Sequence, residues 1–96
     1  MSQTEIQTQD TVRHMPMYKV LIHNDPVTTF QFVIYILIYV FSKDTKTAAS
    51  LADEVHNSGV GLIGVYPLEH AEHLVDQATS RARTEKFPLT FTIEPD

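Results

Sequence analysis

Few side chains in this sequence could take part in chemistry. His70 and His73 stand one helical turn apart on a predicted helix, close enough to share a metal ion. The chain has no cysteine, and zinc sites need three or four ligands, so we predict neither a metal nor a cofactor. It also has no G-x-S-x-G nucleophile motif and no phosphate-binding loop, so we do not expect an enzyme. The remaining candidates are His56 and the neighbouring residues Asn24 and Asp25.

These three polar residues also have structural interpretations. A single histidine on a small domain is commonly a structural or surface residue. Asn and Asp favour turns because their side chains hydrogen-bond to the nearby backbone, so Asn24 and Asp25 could simply build the turn before Pro26. From the residues alone, both interpretations stay open.

Length and charge exclude several classes of function. A chain of 96 residues forms one domain, and its net charge of −5 argues against nucleic-acid binding, which needs a basic surface. The longest apolar run, Phe32 to Phe41, is half of the roughly 20 residues that a membrane-spanning helix needs. Met1 to Pro16 is polar and lacks a secretory signal, so we interpret residues 1–16 as a flexible extension of a domain over 17–96. We expect the protein to act in the cytoplasm.

The first half of the domain reads as a strand followed by two helices. Tyr18–His23 is rich in β-branched and aromatic residues and stops at an Asn-Asp-Pro turn signal, which predicts a strand. Thr28 or Thr29 then caps a helix that runs through Phe41, with Gln31 available for a capping interaction. A second helix begins at Asp44 or Thr45 and ends at Gly59, a natural C-cap.

The second half reads as strand, helix and strand. We predict strands over Val60–Tyr66 and Leu89–Ile93, and between them a helix from Pro67 to about Lys86. The order β-α-α-β-α-β predicts an α+β fold, a two-layer sandwich in which helices pack on one face of a three-stranded antiparallel sheet. The helical core positions should be Phe32, Val33, Ile36, Leu37, Val40, Phe41, Ala48, Ala49, Leu51, Ala52, Val55, Ala71, Leu74, Val75 and Ala78.

Several segments of the chain, taken in order, resemble one protein family. The segments are YKVLIHND, TFQFVIYIL, VH, GVY, AE and PLTFTIEPD. Each alone is unspecific, but in this order and on matching elements they resemble the ClpS family, adaptors of the bacterial Clp protease. The resemblance covers Met17 to Asp96, about four-fifths of the chain.

The resemblance implies an adaptor that binds protein substrates through an N-terminal Leu, Phe, Tyr or Trp. It delivers them to the N-terminal domain of a Clp-type AAA+ unfoldase for degradation. By position, Asn24 and His56 match the residues that bind the substrate's α-amino group, with Asp25 beside them. The resemblance assigns the hydrophobic pocket to Thr28, Phe30, Val33, Ala52, Val55 and Leu89.

The chain departs from the family pattern inside this predicted pocket. Pro26 stands where the family usually has a second Asp, whose carboxylate binds the substrate's ammonium group. Phe30 and Ala52 each stand where the family commonly has Met, so we expect a pocket of altered shape. An alternative function is therefore a ClpS-like regulator or scaffold that has lost or weakened this binding and acts through protein contacts.

Two surface features bear on partners. In the family, the face of the third helix that docks on the unfoldase includes the position of Glu69, and we assign Glu72 to the same surface. The first helix carries Tyr35, Ile38 and Tyr39 on a face that the family keeps polar, which predicts a homodimer or a dedicated partner there. The alternative is that the N-terminal extension covers this patch.

Overall fold

The structure, a computed structural model, describes residues 15–96. The elements are β1 (Met17–His23), α1 (Phe30–Tyr39), α2 (Thr45–Ser58), β2 (Val60–Pro67), α3 (Leu68–Thr84) and β3 (Thr90–Pro95). The predicted order of elements is confirmed. Apart from Met15 and Pro16, the predicted N-terminal extension lies outside the described residues.

β1 is the central strand of a sheet with the order β2-β1-β3, and both neighbours run antiparallel to it. Val20 and Ile22 are completely buried under the helices, whereas Lys19 and Leu21 alternate onto the opposite, uncovered face. On that face the Lys19 ammonium lies 3.9 Å from the Glu94 carboxylate. The predicted α+β sandwich, with helices on one face, is confirmed.

The register between β1 and β2 shifts by one residue. Leu21 pairs with Leu62 but Val20 pairs with Gly64, so Ile63 is an extra residue in a β-bulge. Ile63 is nevertheless buried, at 3% exposure. The alternating sequence pattern does not encode this bulge, because one extra residue leaves the apolar composition of the strand unchanged.

The N-cap of α1 is Thr29, the later of its two candidate caps. The Thr29 hydroxyl accepts a hydrogen bond from the Phe32 N–H at 3.1 Å, so Thr29 is the N-cap. Gln31 therefore falls one residue short of the position that closes a capping box. α1 ends at Tyr39, two residues before the predicted end at Phe41, which is still buried.

α2 is capped at both ends, by Asp44 at the predicted start and by Gly59, the predicted C-cap. Asp44 accepts a hydrogen bond from the Thr47 N–H at 2.7 Å. Gly59 ends the helix in the left-handed conformation, with φ of 89°. A residue without Cβ suits this conformation, and Gly59 therefore turns the chain directly into β2.

α3 ends earlier than the predicted boundary at Lys86. Lys86 has a φ of +64°, and its N–H donates to Arg83 while the Phe87 N–H donates to Ala82. This pattern is a Schellman motif, so the helix stops at Thr84 and the chain turns back towards β3. Among the predicted core positions, Phe32, Leu51 and Val75 lie at the edge of the core and Ala49 is half-buried.

No helix of residues 15–96 is long and apolar enough to cross a membrane.

Candidate functional site

A small cavity lies between α1, α2 and the turn that joins β1 to α1. Its volume is about 200 Å³. It is lined by Asn24, Asp25, Pro26, Thr28, Phe30, Val33, Ala52, Val55 and His56. These include eight of the nine residues that the sequence analysis assigned to amine binding or to the pocket. Leu89 is the exception, because it is fully buried in the core and does not line the cavity.

The floor of the cavity is apolar. Val33, Ala52 and Val55 are 7%, 2% and 1% exposed, whereas Phe30 stands at the rim with 42% of its surface exposed. Val55 is held from behind by β2, since a Cβ on Gly61 would lie 2.6 Å from a Val55 methyl carbon. This close approach of α2 to the sheet fixes the depth of the cavity.

The Asp25 carboxylate organises the turn at the mouth of the cavity. Its Oδ1 accepts hydrogen bonds from the N–H groups of Val27 and Thr28, at 2.9 and 2.7 Å. Its Oδ2 accepts from the Thr28 hydroxyl at 2.7 Å. The turn-building interpretation of Asp25 is therefore confirmed. An ionised carboxylate has about four acceptor positions, so one position on Oδ2 stays free for a further donor.

The turn also keeps Asp25 ionised. Partial burial by itself would raise the pKa of Asp25, but hydrogen bonds from Thr28 and Val27 and the charge of Arg83 outweigh it. The net effect is a pKa below the usual value of a free aspartate. Of the acidic residues within 15–96, Asp25 alone lines the cavity, so it carries the negative charge of the site there.

Asn24 and His56 reach the cavity from two chain segments that a backbone hydrogen bond joins. The Asn24 N–H donates to the Gly59 carbonyl at 2.9 Å, which brings the end of β1 against the end of α2. Both side chains are exposed, and within residues 15–96 neither forms a side-chain hydrogen bond. The C-terminal end of the 14-residue helix α2 adds partial negative charge beside them, because the helix macrodipole has its negative end at the C-terminus.

Pro26 lines the same cavity, a contribution that the sequence analysis did not include in its list of pocket residues. Its ring has no N–H and no carboxylate. The sequence signal for its role was the family resemblance, in which Pro26 stands where a second Asp is usual.

The predicted docking residues lie elsewhere, on the first turns of α3. Glu69 and Glu72 are both exposed there. Leu74 of the same helix is buried at 9% exposure, as predicted for a core position, and is therefore not part of this exposed surface. His70, on the same helix, stacks edge-on against Tyr66, with ring centroids 5.1 Å apart. Among residues 15–96, no cluster of three or more His, Cys, Asp or Glu side chains could hold a metal ion.

The predicted patch on α1 is only partly exposed. Tyr39 and Tyr35 are 67% and 38% exposed and stack with ring centroids 4.9 Å apart, whereas Ile38 packs against the core. Arg81 of α3 donates a hydrogen bond of 2.6 Å to the Tyr35 hydroxyl. It also helps to form a groove of about 420 Å³ between α1 and α3. Arg81 was not predicted, because no local sequence signal shows which residue of α3 faces α1.

Comparisons with known proteins agree with this architecture. A family model described as "ATP-dependent Clp protease adaptor protein ClpS" matches residues 13–92. A ClpS of Nitratidesulfovibrio vulgaris (Miyazaki F) is 45% identical over 95% of this chain and 91% of the relative. A ClpS of Desulfatibacillum aliphaticivorans is 44% identical over 93% of this chain and 85% of the relative.

A solved structure is also similar to this chain. It is Agrobacterium tumefaciens ClpS2 bound to L-phenylalaninamide, with a TM-score of 0.83 and 31% sequence identity. The match covers 86% of this chain and all of that one. With the family model matching most of the chain, and relatives above 40% identity over nearly all of it, the chain belongs to the ClpS family of Clp protease adaptors.

Proposed function

We propose that this protein binds the N-terminal residue of protein substrates in the 200 Å³ cavity and delivers those substrates to a Clp-type AAA+ unfoldase. The observation that carries the proposal is the convergence of an apolar floor and polar acceptors at one cavity. The ClpS2 relative, which was solved with L-phenylalaninamide, supports a ligand with an apolar side chain and a free amino group.

The size and lining of the cavity suit a single apolar side chain. Small-molecule sites usually enclose roughly 300 Å³ or more, whereas an apolar cavity of about 150 Å³ already holds a benzene ring. Val33, Ala52 and Val55 offer only apolar atoms to the ligand. A Leu, Phe, Tyr or Trp side chain would therefore be bound through burial of its apolar surface.

The mouth of the cavity suits a cationic amino group. The free acceptor position of Asp25, the side-chain oxygen of Asn24 and the ring of His56 can accept hydrogen bonds from an ammonium group. Hydrogen bonds between charged partners are about twice as strong as neutral ones. An acetylated N-terminus lacks the charge and two of the donors, so this site would reject it.

Pro26 weakens this recognition without removing it. The loss of one charge-assisted hydrogen bond costs about 1.5–3 kcal/mol, or roughly one to two orders of magnitude in affinity. Asp25 and the negative end of α2 remain to balance the ligand's charge. We therefore propose that binding is retained, but weaker than in a site with two carboxylates.

A titration with fluorescent peptides that differ only at residue one tests this function. Peptides beginning with Leu, Phe, Tyr or Trp should bind, and those beginning with Ala, or with acetylated Phe, should not. His56→Ala should weaken binding, whereas Glu85→Ala, on the exposed surface of the α1–α3 groove, is the matched control and should not. No binding below about 1 mM for any peptide would contradict the proposal.

The second candidate function is that of a regulator that does not bind the N-terminal residues of substrates. It is favoured by Pro26 at the mouth of the cavity and by Tyr39, which is two-thirds exposed beside the α1–α3 groove. Under this alternative, peptides fail to bind while the protein still binds the N-terminal domain of the unfoldase. Pull-down of that domain by the wild-type protein and by a Glu69→Lys, Glu72→Lys variant distinguishes docking on α3 from contact through Tyr35 and Tyr39.

A further inference from the structure

The groove between α1 and α3 contains a cation that no carboxylate of the described chain neutralises. Its lining, around a volume of about 420 Å³, consists of Phe32, Tyr35, Arg81, Thr84 and Glu85. Among residues 15–96 the one ion pair joins Lys19 to Glu94. Arg81 therefore has no carboxylate partner there, although Glu85 follows it by one helical turn. An arginine without an anion beside an aromatic groove suits an anionic ligand.

Tyr35 holds Arg81 in a fixed position. The Arg81 Nη1 donates to the Tyr35 hydroxyl at 2.6 Å, and the guanidinium carbon lies 5.9 Å from the centroid of the same ring. A cation at this distance from an aromatic ring is attracted to its face. A guanidinium group has five N–H donors, and within residues 15–96 this hydrogen bond uses one of them. The other donors are therefore available to a ligand, on a side chain that is already oriented.

The Tyr35 hydroxyl supplies a further donor at the same place. A phenol has one O–H donor besides its acceptor positions, and here the oxygen accepts from Arg81. The O–H hydrogen is not used in that bond, and it forms no other hydrogen bond within residues 15–96. The two oxygens of a carboxylate can accept from the hydroxyl and from the guanidinium group together. Arg81 and Tyr35 therefore form a site for a single carboxylate.

The wall of the groove on α1 is aromatic. The ring centroids of Phe32 and Tyr35 lie 5.8 Å apart, and Phe87 packs against Phe32 with the centroids 4.9 Å apart. Tyr39, two-thirds exposed, stacks on Tyr35 and extends the aromatic surface. The volume of about 420 Å³ lies within the range of roughly 300–1,000 Å³ that is usual for small-molecule sites. A ligand that fits the groove therefore carries an apolar group next to its negative charge.

Glu85 narrows the class of ligand further. Its exposed carboxylate lines the same groove, whereas the Thr84 hydroxyl already donates to the Ser80 carbonyl at 3.0 Å. Glu85 would repel a second negative charge on the ligand, which argues against a phosphate group. Glu85 can instead accept a hydrogen bond from an N–H group of the ligand. A carboxylate, an N–H group and an apolar side chain on one carbon atom are the features of the last residue of a peptide.

We propose that the α1–α3 groove binds the free C-terminus of a peptide whose last residue is apolar, and preferably aromatic. The carboxylate accepts hydrogen bonds from Arg81 and Tyr35, the side chain packs on Phe32 and Tyr35, and the backbone N–H donates to Glu85. The groove is separate from the candidate cavity, since α1 presents Val33 to the cavity and the two linings share no residue. The proposal therefore does not depend on what the cavity binds.

Two small probes separate the groove from the cavity. N-acetyl-L-phenylalanine has the carboxylate but lacks the free amino group that the cavity would bind, and N-acetyl-L-phenylalaninamide has neither. Titration of the ¹⁵N-labelled full chain should give saturable amide shifts at Phe32, Tyr35, Arg81 and Thr84 with millimolar acid, and none with the amide. N-acetyl-L-alanine, which lacks the ring, should bind at least about tenfold more weakly because it buries less apolar surface.

Conservative variants test the two polar groups. Arg81→Gln removes the charge and should raise the dissociation constant of N-acetyl-L-phenylalanine at least about tenfold. Tyr35→Phe removes only the hydroxyl and should raise it severalfold. Lys86→Gln is the matched control, because it removes a positive charge near the same end of α3 but outside the groove, and it should leave the dissociation constant unchanged. Circular dichroism checks that each variant folds.

Several results would overturn the proposal. Equal binding of the acid and the amide, or no shifts with either, would show that the groove does not recognise a carboxylate. An equal loss in Arg81→Gln and Lys86→Gln would reduce the effect to unspecific charge attraction. 3-Phenylpropionate has the ring and the carboxylate but no N–H, so it should bind more weakly, and equal binding would make the ligand a simple carboxylic acid. Binding of free phenylalanine without binding of an acetylated tripeptide that ends in Phe would also exclude a peptide end. Peptides with an amidated C-terminus report on the cavity alone, so Glu85→Ala remains a control for the cavity.

Discussion

Replacing Pro26 by Asp should strengthen binding of a free N-terminus. Pro26 lines the mouth of the cavity beside Asn24 and Asp25, so a carboxylate there would reach a bound ammonium group. A hydrogen bond to a charged group contributes about 1.5–3 kcal/mol, and solvent exposure of position 26 favours the lower value. Pro26→Asp should therefore lower the dissociation constant of a peptide beginning with Phe by about tenfold.

Fluorescence anisotropy with the same peptide measures this gain, and Pro26→Asn is the neutral control of matched shape. The gain in affinity should shrink as the salt concentration is raised. The Debye length is about 8–10 Å at ionic strengths of 0.1–0.15 M and becomes shorter with added salt, so the attraction between the two charges is screened more strongly. Loss of the proline should also lower the free energy of unfolding by about 0.4–1 kcal/mol in both variants. If the Asp and Asn variants bind the peptide equally well, the amino group does not sit at this mouth and the reasoning is refuted.

Three further substitutions probe the supporting structure. Gly59→Ala forces a Cβ into a left-handed position at the α2 C-cap, so urea denaturation should show a loss of about 1–2 kcal/mol; an unchanged midpoint would contradict the strained cap. Asp25→Asn removes a carboxylate whose pKa is lowered by folding, so its stabilisation is fully present above the unfolded pKa and lost as pH falls through the folded pKa. The variant should therefore be less stable at neutral pH and match the wild type in strong acid; a difference independent of pH would argue against this. Ala52→Met adds a thioether to the cavity floor and should weaken binding of a Trp peptide more than of a Leu peptide; equal losses would mean that the floor does not contact the side chain.

Local sequence signals predicted the elements well because each signal acts within a few residues. The caps Asp44 and Gly59 and the turn at Asn24 to Pro26 are recognisable from residue type alone. The boundary at Lys86 was less predictable. A lysine rarely adopts a positive φ, so the residue type of Lys86 did not predict the Schellman motif that ends α3.

The cavity was predicted through family resemblance, and the exception shows the limit of that reasoning. Leu89 lies just before β3 and was assigned to the pocket by position, but its side chain is completely buried in the core. The bulge at Ile63 and the contact of Arg81 with Tyr35 also escaped prediction, because both depend on how distant segments meet in space.

We propose that the cavity between α1 and α2 holds the N-terminal residue of a substrate. Titration of the ¹⁵N-labelled protein with phenylalaninamide, followed by amide chemical shifts, tests it residue by residue. We expect saturable shifts at Asn24, Thr28, Val55 and His56, and none after acetylation of the ligand's amino group. Shifts confined to Tyr35, Arg81 and Thr84, in the groove between α1 and α3, or no shifts at millimolar ligand, would contradict it.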